Sequence, residues 1–314
     1  KIIELLCLIF KRIIEKMRYF YFLLNLPVFG KVKAKKTTRA LSWLFSIIAV
    51  STVTGFIFLP LSFIYIGVCG ISILYIFLQG KIKFDAVYLL MNIAFWISAF
   101  MAIDDFFNPI QRCLLFSCIS LLCTPCISSP TAIIFRTLIC RNILILLSFL
   151  SIGSFFCYFL GINYMPINLG RSDLIGNSVF AGLFSGLYQT SMQLGLFAAL
   201  PSFIFLNSYL AQHKKIFIIL FFMCASATVL SASRGATLSL VVPIVYSILF
   251  MNNCRGYKSR LIGIIVAVVI ISLPISDVLT GGLLEKQQRN IEAGSALSSR
   301  SGKWENRITE FQDY

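Results

Sequence analysis

The 314-residue sequence is 58% hydrophobic and only 12% charged, with a mean hydropathy of +0.89 and a formal net charge of +15. Soluble domains carry about 45–50% apolar and about 25% charged residues, so this chain has too little polar surface to cover a soluble core. Its cations lie in short groups between long apolar runs, whereas a nucleic-acid-binding protein collects them on one water-facing surface. The composition therefore excludes a soluble enzyme, a disordered tail and a nucleic-acid partner, and it predicts an all-α polytopic membrane protein.

Nine runs of the sequence are candidates for membrane-spanning helices, which need roughly 20 mainly apolar residues. In chain order they are Leu41–Ile57, Pro60–Gln79, Ala86–Ile103, Cys113–Ile127, Ile143–Ile162, Leu187–Leu210, Ile216–Ala232, Ala236–Met251 and Leu261–Ser276. We expect the first five spans to occupy residues 41–162. A Gly-rich outer loop and the other four spans would then occupy residues 163–276.

The distribution of charge between the loops predicts the orientation of these spans. With a cytoplasmic N-terminus, 19 of the Lys and Arg residues lie on the inner side and eight on the outer side. Subtracting the acidic residues leaves +16 inside and −1 outside, as the positive-inside rule requires. Residues 1–40 form a basic cytoplasmic segment whose first part is amphipathic, which favours contact with anionic membrane lipids. Residues 277–314 begin a large outer loop.

The cysteines and the single histidine do not indicate a metal site or a cofactor. Cys113, Cys118, Cys123 and Cys126 lie in or beside an apolar span with no histidine nearby, where cysteine behaves as a small hydrophobic residue. His213 falls in an inner loop beside two lysines, which favours a solvated position. We therefore expect no metal ion and no cofactor.

Arg234 is the cation that topology does not explain. It lies in the outer turn Ser231-Ala-Ser-Arg-Gly-Ala-Thr237, far from any other charge in the sequence. One interpretation is an arginine that reaches the outer headgroups. The other is a fixed cation at the mouth of a membrane cavity, between the hydroxyl of Ser233 and the small Gly235. An arginine suits a diphosphate because its planar fork binds two phosphate oxygens.

The outer segment 277–314 contains a second candidate. Arg300, Trp304, Ile308 and Phe311 recur at helical spacing after Ser298-Ser299, which predicts a partial outer-loop helix with one arginine- and tryptophan-bearing face. Such a helix could cover a cavity at the membrane surface, or it could be a plain interfacial helix with an aromatic anchor.

These motifs resemble the O-antigen ligase and O-antigen polymerase superfamily of bacterial envelope polysaccharide enzymes. The resemblance is carried by the Ser233-Arg234-Gly235 turn that opens a span and by the later outer-loop segment Arg300-Ser-Gly-Lys-Trp304. Phe180-Ala-Gly-Leu-Phe184 with Met192-Gln-Leu-Gly195 is similar to the family's passage from an outer loop into a span. The similarity covers roughly residues 163–314.

The resemblance implies a membrane glycosyltransferase of the inner membrane. Such an enzyme takes a glycan from undecaprenyl diphosphate and transfers it to lipid A-core or to a lipid-linked glycan acceptor. Arg234 and Arg300 would hold the donor diphosphate as the catalytic pair, with Ser233, Gly235 and Trp304 as substrate-binding residues. The donor is already activated, so no nucleotide is required.

This interpretation leaves an expectation about the outer loop and alternatives from other classes of protein. The family has a histidine later in the large outer loop, and the sequence stops at Tyr314 before that position, so we expect either a fragment or a chain without the acceptor-activating group. The alternatives from other classes are a flippase or carrier for lipid-linked glycan and a structural membrane subunit. A flippase needs a charged path through its spans, whereas the sequence places its unexplained cations at the outer rim.

Overall fold

A computed structural model of the protein describes residues 32–54, 61–79, 83–101, 109–162, 184–231 and 233–250, together with positions 259, 262–263 and 288. Its helices are α1 Lys36–Ser51, α2 Leu61–Leu78, α3 Ala86–Met101, α4 Pro109–Cys123, α5 Pro130–Phe159, α6 Ser191–Gln212, α7 Lys215–Leu230 and α8 Arg234–Phe250. Two short strands, β1 (Lys83–Phe84) and β2 (Ile127–Ser128), pair antiparallel. The chain divides into two units, Lys1–Leu147 and Ser148–Tyr314.

The mostly helical class predicted from composition is confirmed, and a helix lies at each of the first eight predicted spans. Two of these helices, α5 and α6, are long and apolar enough to cross a membrane. Shorter apolar helices account for five more of the predicted positions. The ninth predicted span, Leu261–Ser276, lies almost wholly outside the described residues, as do the predicted amphipathic segment before residue 32 and the outer-loop helix after residue 288. The count of nine spans therefore stays a prediction.

Two features of the first unit differ from the prediction. The strand pair β1–β2 is absent from an all-α prediction, and residues 130–142, which were predicted as a loop before the fifth span, belong to the continuous helix α5. Pro130 opens this helix, because a proline loses no hydrogen bond at the first helical position. The hydroxyl of Ser129 accepts a hydrogen bond from the backbone N–H of Ala132 at 3.1 Å and caps the helix. Polar residues had lowered the hydropathy of this stretch without lowering its tendency to form a helix.

A buried apolar cluster holds the first unit together. Large side chains from α1, α2, α4 and α5 meet in it: Phe45, Tyr65, Ile76, Leu122 and Phe135. Polar contacts within the unit tie the same helices to one another. The side-chain amide of Asn142 donates to the hydroxyl of Ser42 at 3.2 Å, joining α5 to α1. Arg136 donates from its Nε to the carbonyl of Leu122 at 3.1 Å, joining α5 to the end of α4.

Helix α3 exposes most of its large apolar side chains, while Asn92 and Trp96 form hydrogen bonds with α4. Asn92 is the buried residue of this helix, whereas Val87 and Met101 are 74% and 76% exposed. The side-chain amide of Asn92 donates to the hydroxyl of Ser120 on α4 at 2.8 Å, and the indole of Trp96 donates to Ser117 on the same helix at 2.9 Å. Hydrogen bonds between helices beneath an exposed apolar surface are typical of packing in lipid.

We expect Asn92→Ala to lower the free energy of unfolding by about 1 kcal/mol, because interhelical hydrogen bonds in membranes contribute about 0.6 kcal/mol and the truncation also removes packing. Thermal unfolding of the purified protein in mild detergent measures the change. The matched control is Ser98→Ala on the same helix, whose side chain is exposed. Equal stability of the two variants would contradict a packing role for Asn92.

The second unit contains an antiparallel pair of helices, α6 and α7. They are joined at His213, which adopts a left-handed backbone conformation with φ of 56° and ends α6 by donating from its N–H to the carbonyl of Tyr209. The rings of Phe205 and Phe217 stack across the pair, with centroids 6.4 Å apart. The turn between α7 and α8 follows the far end of α7, so it lies at the opposite end of the pair from His213. Helix α8 then packs against α6.

Candidate functional site

The link between α7 and α8 is a short turn held by serine hydroxyls. Ser231, which is fully buried, donates to the carbonyl of Thr228 at 2.7 Å and accepts a hydrogen bond from the backbone N–H of Ser233 at 3.3 Å. The carbonyl of Ser233 accepts from the N–H of Thr237 at 3.0 Å, which makes Ser233 the residue before the first helical position. Arg234 is therefore the first residue of α8.

Gly195 of α6 packs directly against this turn. A Cβ atom built on Gly195 would overlap the hydroxyl of Ser231, would lie 2.7 Å from the Cβ of Ala236, and would lie 3.1 Å from the Cβ of Ser233. The approaches to Ser231 and Ala236 are closer than real Cβ atoms make, so only glycine allows α6 and the turn to lie at this separation. The contact brings together two segments, Met192–Gly195 and Ser233–Gly235, that the sequence analysis had connected only through the resemblance.

The turn that begins α8 lies at one end of α7. The other cations described in the second unit lie at the opposite end of that helix. Lys214 and Lys215 precede and open α7, and Arg234 follows its far end. The 16 residues of α7 give a separation of about 24 Å along the helix axis. No other Lys or Arg occurs in the described part of the second unit. The two groups of cations therefore lie at opposite ends of a helix that is close to the thickness of a hydrocarbon core.

The segment that precedes α6 is fixed to the last turns of α5. Gly186 has a φ of +53°, and a Cβ there would lie 2.5 Å from the Cβ of Ser154. The hydroxyl of Ser154 accepts a hydrogen bond from the N–H of Leu187 at 3.0 Å. Tyr188 is completely buried, and its hydroxyl lies 3.2 Å from that of Ser151. Thr190 then caps α6 by accepting from the N–H of Gln193. These contacts hold the start of α6, which carries Gly195, in a defined position.

The predicted site residues differ in how far the structure describes them. The structure places Ser233 and Gly235 on either side of the first residue of α8, and Gly235 is exposed with open space around it. Arg234 is described by its backbone position alone, and Arg300 and Trp304 lie outside the described residues. Of the segment Phe180–Phe184, only Phe184 is described; its ring meets that of Tyr158 with centroids 5.4 Å apart.

Two residues of this region were missed as site-forming residues by the sequence analysis. Gly195 was noted only for its similarity to a family pattern, and Ser231 only as part of the turn motif, yet together they determine where the turn lies. The signal that could have found Gly195 is its position in an apolar helix, where glycine costs stability unless another backbone approaches closely.

The described cysteines all have free thiols. No group of three or more His, Cys, Asp or Glu side chains that could hold a metal ion occurs within the described ranges.

Comparisons of the chain with protein-family models, with curated proteins and with solved structures give no significant match. The resemblance to the O-antigen ligase and polymerase superfamily consequently depends on the motif residues of this sequence.

Proposed function

We propose that the protein is a multi-pass enzyme of the bacterial inner membrane that transfers a glycan from undecaprenyl diphosphate to an acceptor sugar on the outer face. The acceptor would be lipid A-core for a ligase and a lipid-linked glycan for a polymerase. The proposal includes nine spans with a cytoplasmic N-terminus. Arg234 and Arg300 would hold the donor diphosphate, and Ser233, Gly235 and Trp304 would contact the substrate.

Contacts within the first unit support the proposed topology. The ammonium group of Lys35 donates to the side chain of Gln79 at 2.7 Å, and β1 at Lys83 pairs with β2 at Ser128. These residues come from, or directly adjoin, the segments 1–40, 80–85 and 128–142, which the charge distribution assigns to the inner side. Segments that are distant in the sequence meet at one end of the unit, as loops on one side of a membrane must.

The outward-facing apolar side chains also support a lipid environment. Large apolar residues are exposed along α2, α3, α5, α6 and α8. Soluble monomers rarely expose contiguous apolar patches larger than a few hundred Å². In a bilayer the same surface needs no polar cover, because the lipid tails are as apolar as the side chains.

The observation that carries the transferase proposal is the close packing of Gly195 against the turn that begins α8. This contact holds the turn in which the backbone of Arg234 begins α8, and a helix N-terminus favours an anion through its backbone N–H groups and the helix dipole. A diphosphate leaving group gains negative charge as the glycosidic bond to it breaks, and a fixed cation lowers the energy of that state. Such a transfer needs no metal ion or nucleotide, since the lipid diphosphate already activates the sugar.

Deletion of the gene in its bacterial host tests the proposal through the lipopolysaccharide ladder on a silver-stained gel. Core with a single repeat unit indicates a polymerase, and core with no repeat indicates a ligase or an earlier step. The location of the accumulated lipid-linked glycan separates the remaining alternatives. Accumulation on the outer leaflet supports transfer, whereas accumulation on the inner leaflet indicates a flippase. An unchanged ladder contradicts both the transferase and the flippase. Complementation of the deletion by the plasmid-borne gene is the control.

A further inference from the structure

A cleft of about 390 Å³ opens at the end of the first unit where the predicted inner segments meet. Its walls come from the extended segment before α1 and from the first turns of α5: Lys33, Ala34, Lys35, Thr38, Thr131 and Ile134. The cleft therefore combines two ammonium groups and two hydroxyls with a small apolar wall. It lies in a different unit from Arg234, so an inference from it does not depend on the transferase chemistry; it rests on the proposed topology with a cytoplasmic N-terminus.

The cleft is surrounded by positive charge. Lys33 and Lys35 are separated by one residue in an extended segment, which directs both side chains to the same side. Arg39 reaches back to the carbonyl of Val32 at 3.4 Å, which holds a third cation close to this segment. A group of neighbouring cations attracts an anion to the surface that they share.

The described residues supply little negative charge to balance these cations. Asp85 is the single acidic residue among them. Its carboxylate accepts hydrogen bonds from the N–H groups of Val87 and Tyr88 and thereby caps α3. A ligand that carries its own negative charge is consequently the natural partner for the cleft.

The depth of the cleft points to the lipid headgroups as the source of that charge. Thr38 precedes the predicted first span at Leu41 by three residues, or about 4.5 Å along the helix. Its hydroxyl hydrogen bonds with the hydroxyl of Tyr75 at 2.9 Å, and tyrosines are enriched at the boundary between hydrocarbon and headgroups. The apolar wall of Ala34 and Ile134 suits the glycerol and acyl portion of a lipid, which a free phosphate ion lacks.

We propose that this cleft binds the phosphate of an anionic phospholipid of the inner leaflet. Lys33 and Lys35 supply the charge and Thr131 donates a hydrogen bond to a phosphate oxygen. Basic pockets between helices on the cytoplasmic side are known to recognise lipid headgroups in this way.

The experiment compares Lys33→Gln with Lys36→Gln in the full chain purified in mild detergent. Both lysines are exposed and three residues apart, but only Lys33 lines the cleft. Native mass spectrometry measures binding of phosphatidylglycerol, with phosphatidylcholine as the uncharged reference. We expect wild type to bind phosphatidylglycerol more tightly and Lys33→Gln to weaken that binding about fivefold, as for the loss of one lysine near an anionic surface. Lys36→Gln should bind as wild type does.

Two further variants keep the inference testable if one substitution perturbs folding. Thr131→Val removes the hydroxyl at nearly constant volume and should also weaken phosphatidylglycerol binding, while Lys33→Arg should retain it. Equal weakening by Lys33→Gln and Lys36→Gln would mean a diffuse surface charge and would overturn the proposal. Displacement of the phospholipid by inorganic phosphate at equal concentration would overturn the assignment to a lipid. Equal binding of the two phospholipids would exclude recognition of negative charge.

Discussion

Arg234→Ala is expected to abolish surface polysaccharide while the protein remains inserted in the membrane. The substitution removes the proposed cation at the start of α8, which would stabilise the departing diphosphate, without changing the length or the apolar character of any helix. Removing one preorganised group that stabilises developing charge costs about 10²–10³ in rate. The lipopolysaccharide ladder and the rate of transfer from undecaprenyl-diphosphate-linked glycan in isolated membranes measure the effect. We expect the same loss for Arg300→Ala.

Two matched variants separate this role from a general need for positive charge. Arg234→Lys keeps the charge but loses the planar fork, so we expect it to restore transfer only in part. Lys215→Ala removes an exposed cation at the opposite end of α7 and should leave the ladder unchanged. Surface polysaccharide retained at wild-type length by Arg234→Ala, at normal protein levels, would refute the assignment of this residue to the site.

Gly195→Ala is expected to reduce transfer strongly by displacing the turn that begins α8. The added methyl group would meet the hydroxyl of Ser231 and the Cβ of Ala236, so α6 and α8 must move apart by a few tenths of an ångström or more. A shift of about 1 Å in a catalytic group lowers a rate by about 10²-fold. Overpacking also costs about 1–3 kcal/mol of stability, so the rate must be normalised to the folded protein in the membrane.

The control for this prediction is Gly70→Ala. Gly70 lies in α2, and a Cβ there would meet nothing within 4 Å, so the same change in chemistry adds no overlap. A second control removes the obstacles instead: Gly195→Ala combined with Ser231→Ala and Ala236→Gly should recover part of the lost transfer. Similar activities of Gly195→Ala and Gly70→Ala would show that the packing of Gly195 does not position the turn.

Helix formation was predictable from the sequence because it follows from local composition. The apolar runs that defined the first eight predicted spans lie in helices, and the ends agree within a few residues for α2 and α3. The exception is the start of α5. Arg136 and Arg141 mark residues 128–142 as a loop when charge alone is counted, but both are good helix formers. Arg136 also finds an acceptor in the carbonyl of Leu122, which the sequence does not reveal.

The candidate site was predictable only as a set of separate motifs. An arginine between two apolar runs is visible in the sequence, as is the glycine in Met192-Gln-Leu-Gly195. That these segments touch depends on which face of α6 meets the turn after α7, and an almost uniformly apolar helix gives no periodic signal for its buried face. The cleft formed by Lys33 and Thr131 was not predictable either, because it depends on where the segment before α1 meets the first turn of α5.

By itself the sequence determined the apolar helical character of the protein and the strong difference in charge between the two ends of its predicted spans. Both are sums over residues near one another in the chain, so they do not depend on packing. The tertiary structure alone decided that Gly195 fits against Ser231 and Ser233, and that α5 continues through the predicted inner segment. Contacts between distant helices depend on atomic fit, and this information lies in the packed faces rather than in the average hydropathy of the helices.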